Sequence, residues 1–321
     1  MNLIDVTREL GTEDDCLAFL EAQRWPDGVI RCTTCGCSQV SKITRTNKTK
    51  EGKESKNKRT RIYQCLEKTC KQQFSATSGT IYNDTHLPLT KWFMAIALIV
   101  DAKKGMSAKQ LQQHLGIGSY KTAWYLGHRI RKAMEAKTFE KMTGTVEIDE
   151  TYIGGAMHPK GGQDGRKMRY KNKETVLGMR ERGGRLRLKH IPNIQAVTLG
   201  KAIKDNVSTD VDAVMTDDNK AYIKAFIEAG INGRKHFAIN HSAGKYVDGM
   251  VYTNTIESAF SLLKRGVIES FHRISIKHLH RYLSEFEYRF NARKAGDRFS
   301  LTVGEMMRTT PMEFKQLTAG V

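Results

Sequence analysis

Acidic residues are in short supply in this chain of 321 residues: 34 Asp and Glu stand against 53 Lys and Arg, a formal net charge of +19. So large an excess repels itself when the chain compacts, and it calls for a polyanionic partner. Long apolar runs are missing as well. The longest, Trp92 to Val100, falls far short of the roughly 20 residues that span a bilayer. The opening Met1-Asn2-Leu3-Ile4-Asp5 lacks the basic start and apolar stretch of a secretory signal. No long amphipathic basic helix stands out. These absences argue against a membrane partner and for a cytoplasmic location, and they leave nucleic acid as the first candidate. With 39% hydrophobic residues the chain is globular rather than disordered, and its length allows two or three domains.

Cysteine is also sparse outside one stretch. Of the six, Cys32, Cys35, Cys37, Cys65 and Cys70 fall between positions 32 and 70, and only Cys16 lies elsewhere, in an apolar helical pattern. Disulfides are not expected in a reducing compartment. Cys32-x2-Cys35 has the knuckle spacing that brings two thiolates to one tetrahedral zinc, and Cys65-x4-Cys70 can supply the other pair. Cys37 could replace Cys35. The intervening segment is too polar to build a core, so zinc would supply the folding energy of a two-knuckle ribbon. Residues 41–61 carry nine Lys or Arg and two Glu, a solvated loop that could meet DNA phosphates.

Residues 88–135 read as helical. Trp92, Phe93, Ile96, Ala97 and Val100 recur at helical spacing behind Pro88. Ser107, followed three residues later by Gln110, has capping-box spacing. After Gly116-Ile117-Gly118, Ser119 can cap a further helix with Ala123, Trp124, Leu126, Ile130 and Met134 on its apolar side. Two helices around a glycine-containing turn predict a helix-turn-helix. Its second helix would present Tyr120, Lys121, His128, Arg129, Arg131 and Lys132 to DNA. Trp92 and Trp124 are assigned to the core.

Residues 144–293 follow a different rhythm. Thr145 to Ile153 alternates like a strand; Thr175 to Arg180 and Leu186 to Ile191 flank the hairpin signal Arg182-Gly183-Gly184-Arg185. The third strand could continue through Ala196-Val197-Thr198, with a helix from about Lys201. Ala213 to Asp217 is a buried strand ending in a carboxylate. Asn219 to Ala229 is helical, Lys235 to Ile239 a fifth strand, and Asn254 to Arg265 and His278 to Arg293 are helices. Three meandering strands followed by helix, strand, helix, strand, helix match an RNase H-like domain. The expected fold is thus α+β and multidomain: an N-terminal helix and zinc ribbon over 1–87, a helix-turn-helix region over 88–140, an RNase H-like α/β catalytic domain over 141–295 and a tail over 296–321.

In that fold the first and fourth strands are neighbours, about 4.8 Å apart. Asp149 and Asp217 would then bring two carboxylates to one metal. Glu147 and Glu150 compete with Asp149, and Asp218 with Asp217. Alternation puts Asp149 with Glu147 on one face and Glu150 with Ile148 on the other. Glu257 sits on the later helix, with Asn254 one turn before it and Lys264 two turns after it on the same face. Such oxygen donors suit Mg²⁺ or Mn²⁺. His236, Asn240 and His241 cluster near the sheet edge, where structural hydrogen bonding is the expectation.

Three sets of residues carry a family resemblance. Val146-Glu147-Ile148-Asp149-Glu150-Thr151-Tyr152-Ile153-Gly154-Gly155, Thr216-Asp217 with Tyr222, and Asn254-Thr255-Ile256-Glu257-Ser258 with Leu263-Lys264-Arg265 resemble the ISXO-type insertion-sequence transposases. Upstream, Arg24-Trp25-Pro26-Asp27-Gly28, the cysteine pairs and Phe74-Ser75-Ala76-Thr77-Ser78-Gly79-Thr80-Ile81 are similar to that family's zinc ribbon. The resemblance implies a DDE-type transposase that cleaves and joins the ends of its own element, double-stranded DNA being both element end and target. It implies Asp149 and Asp217 as the first two acids. The third is Glu257, which six residues separate from Lys264, or Asn254, which 36 residues separate from Asp217. Lys264 would grip a phosphate. A bacterial, nucleoid-associated protein acting as a homodimer or larger is implied too. The alternatives are a DNA-binding regulator with an inactive catalytic relic and an RNase H-like nuclease or resolvase. The x4 spacing of the second cysteine pair departs from the x2 expected of the family.

Overall fold

The computed structural model describes residues 1–43, 60–135, 140–154, 173–239 and 252–319. The basic loop over residues 44–59, and Asn240 and His241, lie outside the described residues. The chain divides into two compact units. One is Met1–Ala102 with Ser107–Met134 and Ala295–Val321; the other is Lys103–Met106 with Glu135–Lys294. No helix among the described residues is long and apolar enough to cross a membrane.

The first unit opens with α1 (Leu3–Glu9) and α2 (Glu13–Arg24), each started by a side-chain cap, from Asn2 and Thr12. A small antiparallel sheet follows, in the order β1 (Val40–Ile43), β2 (Ile62–Cys65), β3 (Gln73–Phe74). Trp25, Tyr63 and Phe74 pack together beneath it, with ring centroids 5.8–6.4 Å apart. Arg61 ties this sheet to α2 through Asp14 at 3.1 Å and Glu21 at 2.6 Å. Next comes α3 (Leu89–Asp101), apolar nearly all round and buried accordingly. The Ser107–Gln110 capping box starts α4 (Ala108–His114), as the spacing predicts, and α5 (Tyr120–Ala133) follows.

The second unit is built on a five-stranded sheet. Its strands are β4 (Thr145–Ile153), β5 (Glu174–Glu181), β6 (Leu186–Ile191), β7 (Ala213–Asp217) and β8 (His236–Ile239), in the spatial order β6-β5-β4-β7-β8. β4 pairs antiparallel with β5 and parallel with β7, and β8 runs parallel to β7. One face of the sheet carries α6 (Ala196–Asn206) and α7 (Ala221–Ala229), packed on Val146, Ile148, Leu177, Met179 and Val214. The other carries α8 (Asn254–Arg265) and α9 (Ile276–Asn291), packed on Ile153, Val176 and Leu188. At Gly178, opposite Asp149 on β5, an added Cβ would lie 2.6 Å from the Phe260 ring and 2.7 Å from Ile256. Only glycine lets α8 approach this closely.

One expected element changes type. Ala196-Val197-Thr198 is the first turn of α6, not an extension of β6. The β-branched pair suggested a strand, but Leu199 and Ile203 are both fully buried at helical spacing while Val197 is 70% exposed. Asn193 fixes the turn by accepting hydrogen bonds from the Gln195 N–H and the Thr198 hydroxyl.

Residues read in the sequence as a tail return to the first unit as α10 (Arg298–Met307) and α11 (Phe314–Thr318). Phe299 packs against Phe93 and Phe19 at centroid distances of 5.6 and 6.0 Å. Phe314 meets Trp124 and Tyr125 of α5. Both tryptophans singled out in the sequence therefore pack within this unit, Trp92 almost completely buried.

Candidate active site

The parallel pairing of β4 with β7 sets the level of the two aspartates. Val146 lies opposite Val214 and Glu147 opposite Met215, so the same register carries Asp149 to the level of Asp217. One carboxylate oxygen from each of Asp149, Glu150 and Asp217 lies within 4.8 Å of the other two. Asp149 Oδ1 accepts the Glu150 N–H at 2.7 Å, and Asp217 Oδ1 accepts the Asn219 N–H at 3.2 Å, which orients both groups.

Glu150 was set aside in the sequence because alternation turns it away from Asp149. The structure shows why alternation misleads here. β7 ends at Asp217, so from this level β4 runs on without that neighbour, and carboxylates from both of its faces can reach round the opened side to the same point. Burial, reinforced by the charges of Asp217 and Asp149, pushes Glu150 up to about 7. Tyr222 of α7, wholly buried, faces Glu150 without closing a well-formed hydrogen bond; its hydroxyl and Glu150 Oε1 have no hydrogen-bond partner among the described residues.

The α8 candidates are placed differently. Glu257 is not among the three clustered acids, and its Oε1 accepts the Thr253 hydroxyl at 3.0 Å. Asn254 begins α8 and is exposed, as is Lys264 in its last turn. The start of α8 has no side-chain cap of its own. A residue of β4 does that work: buried Glu147, through Oε2, accepts the N–H groups of Thr255 and Ile256 at 2.9 and 3.0 Å and the Thr255 hydroxyl at 2.7 Å. Its other oxygen accepts Arg182 Nε at 2.8 Å. Arg182 also donates to the Tyr252 carbonyl and stacks on the Tyr252 ring at 3.6 Å. Glu147 is thus a helix cap held two residues before Asp149. Its signal in the sequence was an acid flanked by Val146 and Ile148 in an apolar strand. His236 is structural, as expected: Nε2 shares a hydrogen bond with the Thr216 hydroxyl at 2.8 Å, and the ring packs on Phe226.

The four predicted thiolates also converge. Cys32, Cys35, Cys65 and Cys70 have their sulfurs within 4.8 Å of one another, and Cys37 is not among them. Cys32 Sγ lies 3.7 Å from Cys70 Sγ and Cys35 Sγ 3.6 Å from Cys65 Sγ. The x4 spacing is accommodated by a turn in which Lys71 takes a positive φ of 46° and donates its N–H to the Glu67 carbonyl. A soft four-thiolate set at such separations fits one structural zinc.

Of the residues proposed to meet DNA on α5, Tyr120 and Lys121 are exposed, Lys121 with its amine 4.2 Å from the Phe314 ring centre. Arg129 and Arg131 are not surface groups, which corrects the sequence reading. Arg129 is 6% exposed, donates to the carbonyls of Ile81 and Asn83, and stacks on Trp92; Arg131 is 1% exposed. The C-terminal half of α5 is buried nearly all round, and charge alone did not reveal that. Lys132 donates to the Pro311 carbonyl. His128 is fully buried against Trp124.

The fold and site define a mixed α/β protein with a four-thiolate module in one unit and a carboxylate group between two parallel strands in the other. Residues 11–73 match the transposase zinc-ribbon domain, and residues 141–291 match the ISXO2-like transposase domain. Both matches are to domains of one transposase family. A protein in transposable element ISH50 of Halobacterium salinarum is 29% identical over 248 residues, covering 71% of this chain and 79% of the relative. DNA is the partner that such matches imply.

Proposed function

We propose that the protein is a DDE-type transposase that cleaves the ends of its own insertion sequence and joins them to target DNA. The observation that carries this reading is the convergence of the Asp149 and Asp217 carboxylates, from two separate strands, on one point. The donor set fits hard divalent cations such as Mg²⁺ or Mn²⁺: the clustered ligands are all carboxylate oxygens, and like charges this close need a cation between them. Bound there, the metal would activate a water or 3′-hydroxyl and stabilise the leaving oxygen of an in-line displacement. Asp149 and Asp217 would hold it, each oriented by a backbone N–H. The helix capped by Glu147 would bring up a further donor, Glu257 or Asn254, and Lys264 would hold a phosphate of the bound strand.

The second unit is read as RNase H-like, on the strength of its strand order and mixed pairing. The helices α4 and α5 are read as a helix-turn-helix whose exposed entry, Tyr120 and Lys121, meets DNA. Two element ends have to be held together, so a homodimer or larger assembly is proposed for the DNA complex. Asp149→Ala and Asp217→Ala proteins, incubated with labelled element ends and Mg²⁺, are expected to bind but neither nick nor join. Strand transfer by both variants would sink the reading. Cut but unjoined products from the unaltered protein would point to a nuclease, and binding alone to a regulator.

A further inference from the structure

We propose that Glu150 is an additional carboxylate ligand of the same cation site, supported from behind by Tyr222. The inference rests on the assignment of Asp149 and Asp217 above. It goes beyond that assignment by drawing ligands from both faces of β4, in addition to whichever donor α8 supplies.

Three observations converge on it. The first is position: Glu150 lies within 4.8 Å of both aspartates, oxygen to oxygen, and Glu257 does not belong to that group. The second is direction. Ile148, on the Glu150 side of β4, packs in the core with Tyr222, whereas Glu147, on the Asp149 side, caps α8. Glu150 therefore approaches the aspartate pair from the α7 side of the sheet, opposite to α8. The third is an unmet bonding capacity. Glu150 Oε1 is shielded from solvent, and the fully buried Tyr222 hydroxyl that faces this carboxylate closes no well-formed hydrogen bond with it.

A buried carboxylate oxygen without a well-formed hydrogen bond, next to two more carboxylates, is matched by a hard cation. With the cation drawing Glu150 forward through one oxygen, the Tyr222 hydroxyl is the donor placed to take the other. That is the usual arrangement of a ligand and the outer group that orients it. A site for paired ions also needs more carboxylate oxygens than two aspartates provide, and Glu150 supplies them from a strand already in place.

The test is Mn²⁺ titration of the full-length, zinc-loaded protein without DNA, read from the loss of the free-ion electron paramagnetic resonance signal. Circular dichroism checks that each variant is folded. Glu150→Gln is expected to weaken Mn²⁺ binding by about tenfold or more, and Tyr222→Phe by about tenfold in the wild-type background but not in Glu150→Gln. Glu150→Asp, which keeps the charge on a shorter arm, is expected to fall between and serves if Glu150→Gln does not fold. Wild-type Mn²⁺ affinity in both Glu150 variants, with binding lost in Asp149→Asn, overturns the proposal and leaves the aspartate assignment standing. Wild-type affinity in Asp149→Asn and Asp217→Asn as well overturns that assignment instead.

Discussion

Glu147 and Arg129 are two buried charges with opposite lessons. Glu147 is fully buried, yet each oxygen has donors: two N–H groups and a hydroxyl on one, a guanidinium on the other. Removing it strands the Arg182 charge and uncaps α8 together. Glu147→Ala is therefore expected to cost about 3–5 kcal/mol in urea unfolding, the range for breaking a buried pair by deleting one partner. A change within about 0.5 kcal/mol would show that the cap is ornamental. Arg129 donates to the carbonyls of both Ile81 and Asn83. Arg129→Met should lower stability by about 1.5–3 kcal/mol, as for hydrogen bonds to a charged group. Tyr120→Ala, at an exposed position, should leave stability within about 0.5 kcal/mol and weaken retention of element ends in a gel-shift assay. The reverse pattern would restore Arg129 to the DNA-facing set.

At the level of elements, the zinc ribbon depends most on something outside the polypeptide. Its sheet has strands of four, four and two residues, with Tyr63, Cys65 and Phe74 as the buried positions. Chelation should release zinc, measurable with a colorimetric indicator, and raise amide exchange in β1–β3 while β4–β8 stay protected. Uniform protection after zinc loss would mean that the aromatic packing suffices. The ribbon was legible because cysteines have few reasons to cluster, and β7 because an apolar strand ending in an acid is a short, strong pattern. α8 was legible to its full extent, Asn254–Arg265, since Ile256, Phe260 and Leu263 keep helical spacing. The start of α6 was not legible: Val197 and Thr198 favour strand locally, and only the packing of Leu199 and Ile203 on the sheet decides otherwise. Glu150 escaped for a related reason, because alternation within β4 does not reveal that the neighbouring β7 stops at Asp217 and opens that side of the strand.

The molecule as a whole has a division that the linear reading did not yield. The first unit takes its core from both ends of the described chain, and such non-local contacts leave no periodic trace in sequence. Phe299, Val303 and Met306 have helical spacing, yet nothing nearby in sequence shows that they complete a core begun by Phe19 and Phe93. Phe299→Ala should cost about 3–5 kcal/mol, as for other large aromatic deletions in cores. Differential scanning calorimetry should place the loss in one of two transitions, leaving the transition of the second unit unmoved. A single shifted transition would show that the units melt together.

That interleaving reverses the order in which a growing chain can become a finished protein. Met1–Ala102 is made before α10 and α11 and must wait for them, whereas Glu135–Lys294 is finished before they are synthesised. During translation the strand-cutting candidate can close while Phe19 and Phe93 still lack Phe299, so the nascent chain shows an unfinished apolar surface around them.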